Sequence, residues 1–227
     1  MLVKLSVENF KSFDAPTEIE MVSSSKIQAH PEHKIRLKNT NILKYGVFYG
    51  ANAAGKSNMV KLFRFFKACV HAGLPLNAGQ MFCKNREENK TRESSFEMIF
   101  TIENRFYAYG FSALLSERKI TGEWLYELFP EGQPKCLFER NGDEPPRLGS
   151  TSGFSAGEEE RFRIYAEDFA GRDTMLFLSE MNRGKKYTDQ SKLYFFKEVY
   201  EWIEDHIYII TPNARLTDLE YYYDNSS

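Results

Sequence analysis

Residues 50–57 read Gly50-Ala51-Asn52-Ala53-Ala54-Gly55-Lys56-Ser57, which matches the pattern G-x-x-x-x-G-K-[ST]. Loops with this pattern turn their backbone N–H groups toward the phosphates of a nucleotide, and glycine is needed where a Cβ would block the turn or the approach. Lys56 places a positive charge on a stem long enough to reach the β- and γ-phosphates. Ser57 offers a hydroxyl to Mg²⁺. The sequence therefore predicts a binding site for ATP and Mg²⁺ at residues 50–57.

The segments on either side of this loop predict a strand and then a helix. Residues 45–49 are rich in β-forming side chains and predict a short buried strand. Residues 58–72 have helical periodicity, and the face predicted to be buried consists of Met59, Phe63, Phe66 and Val70. Strand, loop and helix in this order are the context that the motif requires. The alternative to a phosphate-binding loop is a Gly-rich turn that is followed by Lys and Ser by chance.

The composition describes a chain that can bury a substantial core and has no strong overall charge. The 227 residues are 42% hydrophobic and carry a formal net charge of −2, so no global basic field indicates nucleic acid. Cys69, Cys83 and Cys136 show no paired spacing, which favours free thiols in a reducing compartment. No apolar run reaches membrane-spanning length, and the N-terminus does not resemble a signal peptide. We therefore expect a cytoplasmic protein with no membrane partner.

Two histidines, His30 and His33, lie three residues apart in a polar stretch. No constellation of cysteines or carboxylates accompanies them in the sequence pattern. Such a pair is typical of a solvated surface, so we predict no metal site there.

The rest of the chain predicts antiparallel strands first and helices afterwards. Residues 2–10 and 17–21 alternate apolar and polar side chains, which predicts an antiparallel pair, and residues 23–41 predict a long polar connection. Further predicted strands form a meander at residues 96–103, 106–111, 120–129 and 136–139. We interpret their aromatic side chains as core rather than as a surface for stacking bases.

A segment rich in Pro, Gly and Ser at residues 143–157 predicts a boundary between two parts of the chain. Residues 1–142 are predicted to form a phosphate-loop lobe with an antiparallel β block. Residues 143–227 are predicted to be mostly helical, with helices at about 158–169 and 191–205.

The N-terminal motifs together resemble a known family. A first strand ending in residues 9–13, Asn9-Phe10-Lys11-Ser12-Phe13, then a second strand, a polar gap and residues 49–58 are similar to the start of an ABC-type ATPase head. More narrowly, this part of the chain resembles bacterial AAA-class ATPases related to the overcoming-lysogenization-defect and abortive-infection proteins, and it is more distantly similar to the SMC and RecF heads. The resemblance implies an α/β P-loop NTPase fold with Lys11, Ser12 and Asn58 beside the nucleotide, while a plain polar turn is the alternative for Lys11 and Ser12.

One position departs from the family pattern. The family usually has glycine where this chain has Ala53. If the backbone is left-handed there, alanine costs about 1 kcal/mol, which would weaken binding without abolishing it.

An ABC-type head also needs an apolar strand ending in Asp-Glu and a Ser-Gly-Gly signature, and the sequence contains neither. Residues 154–161 only partly imitate the signature, and Met175-Leu-Phe-Leu-Ser179-Glu180 has serine where the Mg²⁺-binding aspartate should stand. Glu180 is therefore a weak candidate for the catalytic carboxylate, against the alternative of a helix start followed by a core segment. We expect the chain to be the N-terminal lobe of a longer or split head.

These observations predict an α/β head lobe with a phosphate loop, an antiparallel β-meander and C-terminal helices. We expect Mg·ATP binding, with hydrolysis only in a complete homodimer that sandwiches nucleotide, in a phage-defence or DNA-repair role with a possible nuclease, effector or DNA partner. One alternative is a regulatory or assembly module that binds nucleotide without hydrolysis. The other is a small-molecule P-loop kinase, in which Arg161, Arg163 and Arg172 would form a lid.

Overall fold

The computed structural model describes residues 1–210 apart from residues 25, 28, 38, 39, 53, 54, 151 and 152. Its strands are β1 Leu2–Glu8, β2 Thr17–Glu20, β3 Lys34–Leu37, β4 Thr40–Leu43, β5 Ser94–Ile102, β6 Arg105–Leu114, β7 Lys119–Leu128, β8 Lys135–Asn141 and β9 Arg147–Leu148. Its α-helices are α1 Lys56–Ala72, α2 Ala156–Phe169, α3 Phe177–Asn182 and α4 Phe195–His206. The predicted mixed α/β class is confirmed.

Seven of the strands form one sheet in the order β2-β1-β5-β6-β7-β8-β9, and each neighbouring pair is antiparallel. The predicted β1–β2 pair and the predicted meander of β5 to β8 are both confirmed. Alternation along β1 buries Val3, Leu5 and Val7 and leaves the residues between them partly exposed. A period of two places these apolar side chains on the face that packs against the helices.

The core lies between the sheet and the helices and is dominated by aromatic rings. On β5 and β6, the rings of Phe96 and Phe111 stack with centroids 5.0 Å apart, and Phe66 of α1 packs 5.4 Å from Phe111. Phe100 stacks 4.0 Å from Trp202 of α4. The interpretation of the meander aromatics as core is therefore confirmed for these rings.

Helix α1 begins at Lys56, two residues before the predicted start, and ends at Ala72 as predicted, with Gly73 as its C-cap. Its fully buried face consists of Leu62, Phe65, Phe66, Cys69 and Val70. Phe66 and Val70 were predicted correctly, whereas Met59 and Phe63 are only partly buried at the edge of the core.

The predicted strand at residues 45–49 is wrong. These residues have no regular structure and lie outside both sheets, with Val47 75% and Tyr49 92% exposed. A strand of this composition needs neighbours that pair with its backbone and cover both of its faces. Residues 45–49 instead follow the separate β3–β4 hairpin, and neither sheet includes them. The predicted order of strand, loop and helix is therefore confirmed only for the helix.

The prediction of an unstructured connection over residues 23–41 is also wrong in part, because β3 and the first half of β4 fall within it. The hairpin joins the end of the β1–β2 pair through backbone bonds, with Leu43 N donating to Met21 O at 2.7 Å and Ser23 N donating to Asn41 O at 2.8 Å. Each strand is only four residues long, so Ile35 and Leu37 in β3 and Ile42 in β4 form too short an alternation to stand out from the polar sequence around them. The two-residue strand β9 similarly lies within the segment 143–157.

The C-terminal helices α2 and α4 correspond to the two predicted ones. The short helix α3 packs between them and α1, and its Phe177 contacts both Phe162 and Phe196. Buried side chains of all four helices and the sheet belong to one hydrophobic cluster. None of the helices in the described ranges is both long and apolar enough to cross a membrane.

Candidate functional site

A tight bend after β1 is held in place by the buried side chain of Asn9. The amide Nδ2 of Asn9 donates to the carbonyls of Asn89 and Arg92, each at 2.8 Å, and its Oδ1 accepts from Cys83 N at 3.1 Å. Asn9 has a φ of 50°, in the left-handed region that asparagine tolerates better than most residues. The bend is therefore fixed by side-chain hydrogen bonds to a distant part of the chain.

The ring of Phe10 anchors the same bend to the core, because it packs 5.0 Å from Phe65 of α1 and 5.3 Å from Phe96 of β5. Lys11 follows with a φ of 53° and donates its backbone N–H to Met81 O at 2.8 Å. These contacts bring Lys11 and Ser12 to the N-terminal end of α1.

Ser12 touches the phosphate-loop motif directly. Its Oγ accepts a hydrogen bond from Asn58 Nδ2 at 2.9 Å. A Cβ added to Gly55 would lie only 2.9 Å from the same oxygen. The structure thus brings Ser12 to Gly55 and Asn58, which lie 43 and 46 residues further along the chain.

Lys56 is the first residue of α1, and Gly55 before it has a left-handed φ of 87°. The ammonium of Lys56 donates to the carbonyls of Gly50 and Ala51, each at 2.6 Å. The charge is therefore held over the loop by two neutral acceptors, and a phosphate oxygen would form stronger, charge-assisted bonds with it.

The start of α1 favours an anion electrostatically. The first four N–H groups of a helix have no partners within the helix, and the helix dipole adds a partial positive charge there. The first turn of α1 contains no acidic residue that would neutralise this charge. The exposed hydroxyl of Ser57 lies in the same turn.

Further lysines surround this helix end. Lys11, Ser12 and Asn58 line a shallow depression together with Gln80 and Lys84. Burial lowers the pKa of Lys11, and the positive charges of Lys61 and Lys84 lower it further. Because Lys61 and Lys84 repel the ammonium group of Lys11, a bound polyanion would relieve an unfavourable interaction.

Other predicted loop residues can be placed only in part. Gly50, Ala51 and Asn52 are exposed, in line with an accessible loop. Ala53 and Ala54 lie outside the described residues, so the expected cost of alanine at position 53 stays a prediction.

Glu180, the weak candidate for a catalytic carboxylate, lies far from this loop. It follows Ser179, whose hydroxyl donates to Val70 O. Val70 is fourteen residues beyond Lys56 on α1, which corresponds to about 21 Å along the helix axis. Glu180 instead forms ion pairs with Lys185 at 2.8 Å and with Arg172 at 3.4 Å. It therefore does not belong to the site around Lys56.

The partial signature at residues 154–161 forms the start of α2. Ser155 is the N-cap, its hydroxyl accepts from Glu158 N at 3.3 Å, and the carboxylate of Glu158 accepts from Ser155 N at 3.0 Å. This reciprocal arrangement is a capping box, which explains the Ser-x-x-Glu spacing by local helix stability.

The arginines of the kinase alternative are engaged elsewhere. Arg163 pairs with Glu160 and Glu167 on its own helix, and Arg172 pairs with Glu180. They lie on and after α2, which packs on α3 rather than on the loop.

Sequence reasoning missed three contributors to the site: Asn9, Lys61 and Lys84. Lys84 opens a charged run that is typical of a solvated loop, and Lys61 lies on the solvent side of α1. A basic residue one turn after the motif was a local signal for Lys61, whereas the positions of Asn9 and Lys84 depend on contacts between distant segments.

Comparison of the chain with protein-family models and with curated proteins finds no match in either case.

Proposed function

We propose that this chain binds Mg·ATP through residues 50–58, with Lys11 and Ser12 contributing from the bend after β1. The observation that carries the proposal is the position of Lys56, in the first turn of α1 with its ammonium over the carbonyls of Gly50 and Ala51. The glycine-rich loop, a helix N-terminus and a lysine together form the arrangement that binds phosphate groups.

Additional support comes from the lysines around the helix start. Burial lowers the pKa of Lys11, and repulsion by Lys61 and by Lys84 lowers it further. A triphosphate carries several negative charges and complements such a cluster. In this proposal Ser57 binds the Mg²⁺ ion that accompanies the nucleotide.

We further propose that hydrolysis requires a complete, dimeric head of the ABC type, which the N-terminal motifs resemble. The remote position of Glu180 supports a chain that binds nucleotide but needs a complete head for hydrolysis. From that position this carboxylate cannot activate a water at a phosphate held by Lys56. The same observation favours the alternative of a regulatory or assembly module that binds nucleotide without turnover. A nuclease, other effector or DNA partner in phage defence or DNA repair remains part of the proposal by resemblance alone.

The test of binding is a titration of the untagged full chain with a fluorescent ATP analogue in the presence of Mg²⁺. Lys56→Ala should weaken binding roughly 10- to 100-fold, as expected for the loss of a charge-assisted contact. Lys135→Ala is the matched control, because exposed Lys135 lies on β8, four strands away from β1 in the sheet. Equal affinity of the Lys56→Ala variant and the wild type would refute the proposal.

Turnover separates the possible roles, since Lys56→Ala should weaken binding in all of them. Binding without phosphate release is expected for an isolated lobe or a regulatory module. Release that appears only with an acceptor substrate would indicate a kinase. Rapid release by the chain alone would overturn the proposed dependence on a complete head.

A further inference from the structure

His30, Glu32 and His33 form a cluster of potential metal ligands on the surface. Glu32 Oε1 lies 3.1 Å from His30 Nδ1 and 3.6 Å from His33 Nε2. One ligand atom from each residue lies within 4.8 Å of the other two, in the only such group of three among the described residues. The sequence-based prediction of no metal site overlooked Glu32, which stands between the two histidines.

The separations match the geometry of zinc coordination. Zn²⁺ binds imidazole nitrogen and carboxylate oxygen at about 2.0–2.2 Å in a tetrahedral arrangement, so neighbouring ligand atoms lie about 3.3 Å apart. Both contacts of Glu32 are close to this value. A cation could therefore take the place of the hydrogen bond between Glu32 and His30.

The backbone brings the two imidazoles together through an uncommon conformation. His30 has a φ of 52°, and Pro31–His33 then form a single 3-10 turn. As a result the two rings stack with their centroids 5.1 Å apart and their planes only 10° from parallel. Two cationic imidazoles would repel each other in this position. Because the lone pair of each ring nitrogen lies in the plane of its own ring, one ring must rotate out of the stack before both can bind the same ion.

A second contact orients one of the ligands. Tyr45 Oη lies 3.0 Å from His33 Nδ1, the ring nitrogen that does not face Glu32. A backbone hydrogen bond also holds Tyr45 close to His33, because the preceding residue Lys44 donates its N–H to His33 O at 2.9 Å. A hydrogen bond to the second nitrogen of a metal-binding histidine sets its tautomer and raises its affinity for the metal. Here Nδ1–H would donate to Tyr45 and leave Nε2 for the ion.

We propose that His30 Nδ1, Glu32 Oε1 and His33 Nε2 form a binding site for Zn²⁺, with Tyr45 as the residue that positions His33. The three ligands leave a fourth position for water or an external ligand. Two imidazoles and one carboxylate favour Zn²⁺ and related transition-metal ions over Mg²⁺ and Ca²⁺, which prefer oxygen ligands. The site is separate from the proposed nucleotide site and makes no use of Lys56.

The experiment uses the untagged full chain, freed of metal by a chelator and then titrated with Zn²⁺ in competition with a chromophoric chelator. The wild type should bind one Zn²⁺, and Co²⁺ should give the visible absorption of a tetrahedral complex. His30→Asn and His33→Ala should each weaken binding more than about 100-fold, and Tyr45→Phe about 10-fold. Asparagine is chosen at position 30 because it tolerates the left-handed backbone.

His71→Ala is the matched control, since His71 is an exposed histidine on α1 that pairs with Glu204 instead. It should bind Zn²⁺ like the wild type. In the presence of the chelator, each variant should have the same melting temperature as the wild type, because the altered side chains are at the surface. Absence of Zn²⁺ binding by the wild type, or equal binding by the His30→Asn/His33→Ala double variant, would overturn the proposal. Equal binding by Tyr45→Phe would overturn the role of Tyr45.

Discussion

At the scale of single residues, Gly55 connects the phosphate-loop motif to the bend after β1. Its φ of 87° is in the region that favours glycine, and an added Cβ would lie 2.9 Å from Ser12 Oγ. That oxygen cannot move freely, because it accepts the hydrogen bond from Asn58. Gly55 is therefore needed both for the backbone conformation and for the contact with Ser12.

We expect Gly55→Ala to weaken Mg·ATP binding strongly, because the added methyl group displaces Ser12 and strains the start of α1. The backbone strain alone should lower the free energy of unfolding by about 1–2 kcal/mol. Fluorescence titration with the ATP analogue measures the first effect, and thermal melting measures the second.

Gly171→Ala is the control for Gly55→Ala, since Gly171 has a φ of 74° and nothing within 4 Å of an added Cβ. It should lose a similar amount of stability and keep the affinity for ATP. If both variants bound ATP equally well, Gly55 would have no role beyond the backbone.

At the scale of secondary-structure elements, Gly110 allows a side chain to cross β6. Trp124 of β7 donates from Nε1 to Glu97 Oε2 of β5 at 2.7 Å, and both residues are cross-strand neighbours of Gly110. The indole therefore lies over the glycine. A Cβ there would meet Phe96 O and Trp124 Cζ2, each at 2.6 Å.

Gly110→Ala should lower the free energy of unfolding by about 1–3 kcal/mol, because the methyl group has no space between the indole and the backbone. Gly157→Ala is the contrasting variant, since an added Cβ in α2 meets nothing within 4 Å and alanine favours a helix by up to about 1 kcal/mol. Equilibrium unfolding in urea compares the two. A Gly110→Ala variant as stable as the wild type would show that Trp124 does not cross the strand in this way.

Helix α2 is joined to α4 through the carboxylate of Glu158. Besides its bonds to Ser155, this carboxylate accepts from Ser191 Oγ at 2.9 Å and from Lys192 N at 2.8 Å, just before α4 begins. Hydrogen bonds from the Ser155 backbone, and then from Ser191 and Lys192, lower the pKa of Glu158 to about 2. The ionised form is thus the one that the folded state favours.

The contribution of Glu158 should depend on pH. Since its pKa is lower in the folded state than the ordinary 4.5, its stabilising effect is complete above about pH 4.5 and is lost as the pH falls toward 2. Glu158→Gln should therefore melt at a lower temperature than the wild type at pH 7, and the two should converge near pH 2. Exposed Glu159 provides the control variant Glu159→Gln, which should match the wild type at pH 7. If the melting temperatures of Glu158→Gln and the wild type still differed at pH 2, the stabilising effect could not be assigned to the charge of Glu158.

At the scale of the whole molecule, two buried ionisable residues fasten α3 to the sheet. Glu123 accepts from Phe177 N at 2.6 Å, from Leu178 N at 3.0 Å and from Tyr109 Oη at 2.9 Å. Its cross-strand neighbour Arg140 donates to the carbonyls of Arg172 and Met175 in the segment that leads into α3. Burial raises the pKa of Glu123, although the two amides and Arg140 act in the opposite direction.

This docking extends to α1. Leu74 N donates to Thr174 O at 2.7 Å, and Ser179 Oγ bonds to Val70 O. The C-terminal half of α1 thus rests on the α3 segment, while its N-terminal end carries Lys56. The network around Glu123 therefore supports the helix that presents the candidate nucleotide site.

Glu123→Gln should lower the free energy of unfolding by about 1–3 kcal/mol, because the amide NH₂ must face a backbone N–H that then loses its acceptor. Equilibrium unfolding measures the loss, and amide hydrogen exchange should show faster exchange at Phe177 and Leu178. The control is Glu127→Gln on the same strand, where the side chain is only half-buried. Unchanged exchange at the two amides in Glu123→Gln would refute the role of this carboxylate.

The sequence alone was sufficient where the signal is local. Alternating side chains identified β1 and the meander, helical periodicity identified α1, α2 and α4, and the motif identified Lys56 beside a helix start. Each of these depends on residues a few positions apart, whose geometry follows from the period of a strand or a helix.

Only the tertiary structure decided the features that depend on partners elsewhere in the chain. Residues 45–49 have the composition of a strand but no neighbour in the sheet, so they remain exposed. The approach of Ser12 to Gly55, the distance of Glu180 from Lys56 and the contact of Tyr45 with His33 were equally invisible in the sequence. Strand pairing and side-chain contacts between distant residues are set by how the elements pack, and a local pattern carries no information about that packing.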